Sequence, residues 1–301
     1  MSGSVSSGGG PAPDGGQSPS AVEAAVRRAL RIPGVRVDRE RFLLRRASGL
    51  LPDDGARRRV LSEGLGAVLT EPELRALGLR RVLQLTAWSS SAAVVASLPG
   101  GPGAMTAGAG ADVMQQLAFG LRLSQELAYL YGHRLSAADH EGAPVTDAEL
   151  EQLLLLFGAL LEVEGAAGAV RLTGPRLERD GRPVGYGDDA AAGTLGASGG
   201  TGTTGAAGAC LPPDLLRRGF AGPISRRVLA RFASRMQSTV LRRGMLRAVP
   251  LLGAIGAGGA AFSALQAQGR ILNHELAEGL DYTPGKVLAD VDALRRALGA
   301  E

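Results

Sequence analysis

Two stretches of this chain carry no charged side chain, and glycine punctuates both: Val82 to Ala111 and Ala248 to Gly269. Segments this long without charge must be hidden in protein or in lipid, so they fix where the fold keeps its apolar surface. The first is interrupted by Leu98-Pro99-Gly100-Gly101-Pro102-Gly103, and prolines among glycines stop a helix, which predicts a helix–turn–helix pair. Its second arm carries Ala104, Gly108 and Asp112 four apart, small enough for helices to approach closely. The second stretch, AVPLLGAIGAGGAAFSALQAQG, is long enough at about 1.5 Å per residue to cross a hydrocarbon core of about 30 Å. Pro250, the glycines at 253, 256, 258 and 259, and the Gln266/Gln268 pair lower its apolar content. Three readings stay open for it: a buried helix hairpin in a bundle, shallow or re-entrant insertion, and a true span.

Elsewhere apolar residues recur at three- and four-residue steps, which predicts an all-α helical bundle. Ser20 with Glu23, Thr70 with Glu73 and Thr146 with Glu149 fit capping boxes. Helices are expected near 20–31, 38–48, 54–67, 71–97, 103–132, 146–163, 224–248, 251–280 and 284–298. Residues 1–19 are Gly, Ser and Pro with almost nothing to bury, and read as a disordered tail. A second small-residue stretch, about 175–222, reads as a low-complexity insertion in one domain spanning 20–299. The start lacks a basic segment followed by an apolar run, so no secretory signal is expected and the cytoplasm is the expected compartment. With 6 Phe, 4 Tyr and one Trp, the core must be built of Ala, Leu and Val. The single Cys210 excludes a disulfide framework and a cysteine zinc cluster.

A net charge of +4 is too small to identify a partner, but its distribution is uneven. Between Asp214 and Glu275 every charge is an arginine: Arg217, Arg218, Arg226, Arg227, Arg231, Arg235, Arg242, Arg243, Arg247 and Arg270. In the predicted helix 224–248, Val228, Leu229, Phe232, Met236 and Val240 form an apolar stripe, with Arg227, Arg231 and Arg235 on another face. A basic amphipathic helix beside an apolar segment suits an anionic membrane surface, at about 1 kcal/mol per basic residue. Arg226, Arg227, Arg231, Arg235, Arg242, Arg243 and Arg247 are therefore the candidate surface contacts, against the alternative of an arginine face paired to acids of other helices. No aromatic interleaving accompanies the basic run, which disfavours nucleic acid.

The predicted helix 103–132 places Asp112, Gln115, Phe119, Arg122, Glu126 and Tyr129 in one stripe. Burying a lone charge costs several kcal/mol, so these groups should pair with one another or with Arg270, Asn273, His274 and Glu275. Asp112, Arg122, Glu126, Tyr129, Arg270 and His274 are the candidate network. It reads as an ion-pair lattice fixing helix register, as a ligand or catalytic site between 103–132 and 251–280, or as an exposed face. The histidines, His133, His140 and His274, have no zinc-ligand spacing, and no metal or cofactor is expected. His133 reads as a helix-end residue near the last carbonyls. Gly196-Ala197-Ser198-Gly199-Gly200 matches a hydrolase elbow with Asp214 and His274 following, but no strand precedes it. Gly256, Gly258 and Ala261 match a dinucleotide fingerprint without any series of strand–helix units.

LPGGPG, an apolar stretch, GAD and then LRLSQELAYLYGHR resemble the central signature of the EcsC family of bacterial proteins. RAVPLLGAIGAGGAAFSAL followed by RILNHEL resembles that family's Gly-rich C-terminal segment. The likeness covers roughly 36–299 apart from the 175–222 insertion. It implies an α-helical bacterial protein whose namesake accompanies an ABC-transporter gene cluster linked to secretion. Asp112, Arg122, Glu126, Tyr131 and Gly132 match signature positions, and the family supplies no catalytic roles for them. The expectation is a non-enzymatic protein, peripheral to the inner face of the cell membrane, accessory to transport, secretion or envelope processes. Its partner would be an anionic membrane surface or a membrane protein, an ABC transporter included. An enzyme or small-ligand binder is the alternative, and oligomeric state is left open.

Overall fold

The computed structural model describes residues 19–51, 53–97, 109–135, 144–174, 176–177, 183–184, 221–246, 250–281 and 283–299. The fold is all-α, a helical bundle. Helices α1 (Pro19–Leu30), α2 (Arg39–Arg46) and α3 (Asp54–Glu63) lead into two long helices, α4 (Glu71–Ser97) and α5 (Ala109–Leu130). Then come α6 (Asp147–Leu160) and the short α7 (Ala166–Thr173). The chain ends with α8 (Gly222–Leu246), α9 (Pro250–Leu280) and α10 (Pro284–Leu298). The extended structure among the described residues is one two-residue antiparallel bridge, Arg176–Leu177 with Pro183–Val184. The expected tail, the Leu98–Gly103 turn and most of the 175–222 insertion lie outside the described residues.

Local chemistry sets the helix ends. At α4 the Thr70 amide and hydroxyl both donate to Glu73 Oε2, at 2.8 and 2.7 Å, which holds the Glu73 carboxyl below its usual range. At α6 the Glu149 amide donates to Thr146 Oγ1, while the Glu149 carboxylate turns away to Arg36 at 3.0 Å. Each pair forms half of the expected box. Ser20 is not a cap, because α1 already begins at Pro19. The expected 54–67 helix stops at Glu63 and resumes as a 3₁₀ turn, Leu65–Ala67. Between them Gly64 has φ +86°, and a Cβ there would lie 2.6 Å from Gly132 Cα. Two backbones meet at a spot where no side chain fits.

Aliphatic side chains fill the interior: Leu43, Leu74, Leu85, Leu121, Leu127 and Leu153 are buried. Phe157 and Phe232 meet edge to face at 5.4 Å, tying α6 to α8. The most extensive pairing is α4 with α9, and α5 lies against both. The second charge-free run is not a hairpin, as α9 continues unbroken from Pro250 through all four glycines. Glycine costs a helix about 1 kcal/mol per residue but does not stop it. The one proline, Pro250, sits at the first position, where its missing N–H is harmless. The Gly256, Gly258 and Ala261 pattern therefore lies within a helix that already includes Leu251 and Leu252. Among the described residues no helix is long and apolar enough to cross a membrane.

Candidate functional site

Three contacts set the register of α4 against α9. Asn273 Nδ2 donates to the Arg75 carbonyl at 3.2 Å, a Cβ on Gly78 would lie 1.8 Å from Asn273 Oδ1, and one on Gly269 would lie 2.7 Å from Val82 Cγ1. As α4 rises from 75 to 82, its partner falls from 273 to 269, so the helices are antiparallel. Carried along both helices, this register brings the end of α4, after Arg81, alongside the start of α9, before Arg270. Those are the charge-free halves. Beyond the last of these contacts α4 runs on for about 22 Å and α9 for about 28 Å, at about 1.5 Å per residue.

The start of α5 shares this end. Glu126 of α5 meets Arg81 of α4, and Leu123 touches the position where a Gly269 side chain would stand. Helix α8 heads the same way. It passes Gly165 with Ile224 and Gly158 with Val228, then sets Phe232 on Phe157, whose ring also covers Gly120 of α5. Helices α4, α8 and α9 thus direct charge-free or basic segments toward one end of the bundle, joined there by the start of α5, which carries Asp112. On the outer side of α4, Leu79 and Leu83 stay 38% and 44% exposed.

A layer of guanidinium groups lies directly beneath. Glu126 is 1% exposed, and both its oxygens are engaged. Oε1 accepts from Arg81 Nη2 at 2.7 Å and from Arg122 Nε at 2.9 Å, and Oε2 accepts from Arg81 Nε. Arg122 Nη1 donates onward to the Gly34 carbonyl at 2.5 Å, reaching the turn between α1 and α2. Arg46, at the end of α2, stands 5.6 Å over the Phe42 ring. Burial, and after it the neighbouring Arg81, hold the Arg46 guanidinium below its ordinary pKa.

Among the described side chains, the polar candidates do not converge. Arg122 and Glu126 pair with each other, and Tyr129 packs its ring 6.4 Å from Phe42. Arg270 and His274 are exposed on α9, and the Asp112 side chain lies outside the described residues. The partner that spacing did not reveal is Arg81. Arg80 and Arg81 are adjacent, and only the packing of α4 on α5 selects between them. Among the described side chains of α9, the buried polar one is Asn273, which accepts from the Tyr131 hydroxyl at 3.0 Å. Of the basic candidates on α8, Arg226, Arg227 and Arg231 are exposed, the Arg235, Arg242 and Arg243 side chains lie outside the described set, and so does Arg247.

The resembling LYGHR segment has a structural account. Gly132, at φ +86°, closes α5, and the His133 amide donates to the Ala128 carbonyl at 2.9 Å, a Schellman turn. His133 is buried beside a small cavity between α6 and α7, lined also by Gln152, Leu156, Val170 and Thr173. Among the described residues no group of His, Cys, Asp and Glu is arranged to hold a metal ion. The Gly196–Gly200 motif lies outside them. Comparison of the chain with family models, with curated proteins and with solved structures finds no match to any of them.

Proposed function

We propose that this is a non-enzymatic protein that adheres to an anionic bilayer surface through the end where α4, α5, α8 and α9 gather. One observation carries the reading: the α4–α9 register sets two charge-free half-helices side by side, with guanidinium groups as the first charges below them. An apolar end places its side chains among acyl chains, and a basic layer beneath it lies at headgroup depth. The exposed Arg226, Arg227 and Arg231 add to the same field, each contributing about 1 kcal/mol near such a surface. The resemblance to the EcsC family supports a place at the inner face of a bacterial cell membrane, accessory to transport, secretion or envelope processes. An ABC transporter is the membrane partner it suggests.

Flotation with phosphatidylglycerol vesicles and with phosphatidylcholine vesicles tests the reading. Recovery with the first and not the second is expected at low salt, falling in molar salt as the field is screened. Neutralising Arg226, Arg227 and Arg231 together to Gln should weaken partition at least tenfold. Absence from both vesicle types at low salt would overturn the proposal.

A further inference from the structure

The outer face of α4 carries an apolar stripe that stays in contact with solvent. Pro72, Ala76, Leu79, Leu83 and Ala87 are exposed and recur at steps of four and three, so they line one side of the helix. Leu74, Gly78 and Leu85, on the opposite side, are buried. A lone exposed leucine means little, but Leu79 and Leu83, 38% and 44% exposed, stand in line with three further apolar residues. Such spacing is that of the seam of a two-helix coiled coil. Glu73 and Arg80, seven residues apart and both exposed, flank the stripe on one edge. Thr70 holds Glu73 through Oε2 alone, and no ion pair within the described residues engages Arg80. On the other edge stand Val82, buried beside Gly269 of α9, and Arg75, which pairs with Glu71 and reaches Glu278.

We infer that this face pairs with the same face of a second copy, the two α4 helices running antiparallel about a two-fold axis that passes between Leu77 and Gly78. In that register Leu79 faces Ala76 of the partner copy and Leu83 faces Pro72 of the partner copy. Each contact is made twice, because a two-fold interface is its own complement. The charges select the direction. Glu73 comes beside Arg80 of the partner copy, again twice. A parallel pair would instead set Arg80 next to Arg75 of the other copy, like against like. Exposed ion pairs add little affinity and act mainly on orientation, so the apolar layers supply the attraction. About three turns of helix per copy make a small interface, which places the dissociation constant at about 10–100 μM. The dimer needs no lipid and stands apart from the bilayer reading. Its antiparallel order directs the two charge-free halves away from each other, so a flat bilayer meets one copy of a pair at a time.

Sedimentation equilibrium of the full chain in lipid-free buffer tests the interface. A reversible monomer–dimer equilibrium is expected. Arg80→Glu should weaken the dimer about tenfold or more, since it sets carboxylates together, and adding Glu73→Lys should recover most of that loss. Leu83→Asp should abolish the dimer. All three side chains are exposed, and circular dichroism with Tm verifies that the fold survives each change. Glu73→Lys also removes the bonds from Thr70, which Tm registers separately from association. A chain that stays monomeric up to about 1 mM overturns the interface, and so does a dimer that Leu83→Asp leaves intact. A dimer that Arg80→Glu strengthens overturns the antiparallel order, because only a parallel pair places Arg75 against position 80. Phosphatidylglycerol vesicles form a second arm. Loss of dimer as monomers are captured is expected if the bilayer reading also holds. An intact dimer that ignores vesicles counts against that reading alone, and vesicle capture of a chain that never dimerises counts against the interface alone.

Discussion

His133 combines ordinary chemistry with an unusual address. It follows the glycine that closes α5, so its amide belongs to the helix end while its ring faces the α7 terminus. A Cβ on Gly174 would lie 3.0 Å from its Cε1. Burial pushes its pKa down to about 4 from an ordinary 6.5. A depressed histidine is neutral in the folded protein, whereas the unfolded chain takes up the proton below about pH 6.5. Between those values the unfolded state binds more protons, so stability falls with acid. The contribution is fully present above about pH 6.5 and is lost as the pH drops toward 4, amounting to about 3 kcal/mol at one pKa unit per 1.36 kcal/mol. Urea unfolding at pH 7.5 and at pH 4.5 should show this loss, and His133→Phe should remove much of it. An identical pH dependence in the variant would show that other groups govern the acid limb.

At the scale of elements, glycine decides how closely α4 and α9 approach. Alanine at position 78 would improve helix propensity by about 1 kcal/mol. The added methyl, however, would lie 1.8 Å from Asn273 Oδ1, and that amide is held by the Tyr131 hydroxyl and the Arg75 carbonyl. Moving it leaves the buried hydroxyl unpaired, at about 1–3 kcal/mol, besides straining the helix pair. Gly78→Ala should therefore destabilise the protein by about 2 kcal/mol, whereas in an Asn273→Ala background the same change should be neutral or stabilising. A double-mutant cycle by chemical denaturation reads that sign reversal. None of this was legible in the sequence, because a buried glycine and an exposed one look alike until a partner helix is in register. What periodicity and caps could show, they did: all nine expected patterns become helices (one of them broken at Gly64), Thr70 and Thr146 take part in capping, and Arg122 finds Glu126 four residues on. Helix α7 escaped because Gly165, in the left-handed region with no side-chain cap, starts it. The glycines of α9 suggested a hairpin only because glycine weakens a helix without saying where it ends. Arg81 was invisible for a related reason: a charge four residues away on the same helix can be counted along the chain, but one on a neighbouring helix cannot.

For the whole molecule, the usual division between an aliphatic interior and a charged surface is joined by a second one along α4 and α9. The lower part is fastened by ion pairs. Arg171 of α7 meets Asp290 of α10 at 2.5 Å and Glu275 of α9. Above Arg81, α4 carries no further charge, and α9 carries none before Arg270. Such a division costs a protein surrounded by water on all sides, since apolar side chains at one end leave water only where they meet another apolar phase. The chain supplies its own reporter for whether that phase is lipid. Trp88, its one tryptophan, lies in α4 seven residues beyond Arg81, within the charge-free half. If this end enters acyl chains, Trp88 emission should shift to shorter wavelength on adding phosphatidylglycerol vesicles, and lipids brominated along their tails should quench it. Adhesion by arginines alone would give flotation without either change, because the headgroup layer is polar and the bromines lie below it. The depth of quenching therefore separates insertion of the paired half-helices from electrostatic docking. Replacing Ala92, in the same half, with Arg should abolish the quenching, while leaving the ion-paired lower part of the bundle with its stability unchanged to within about 0.5 kcal/mol.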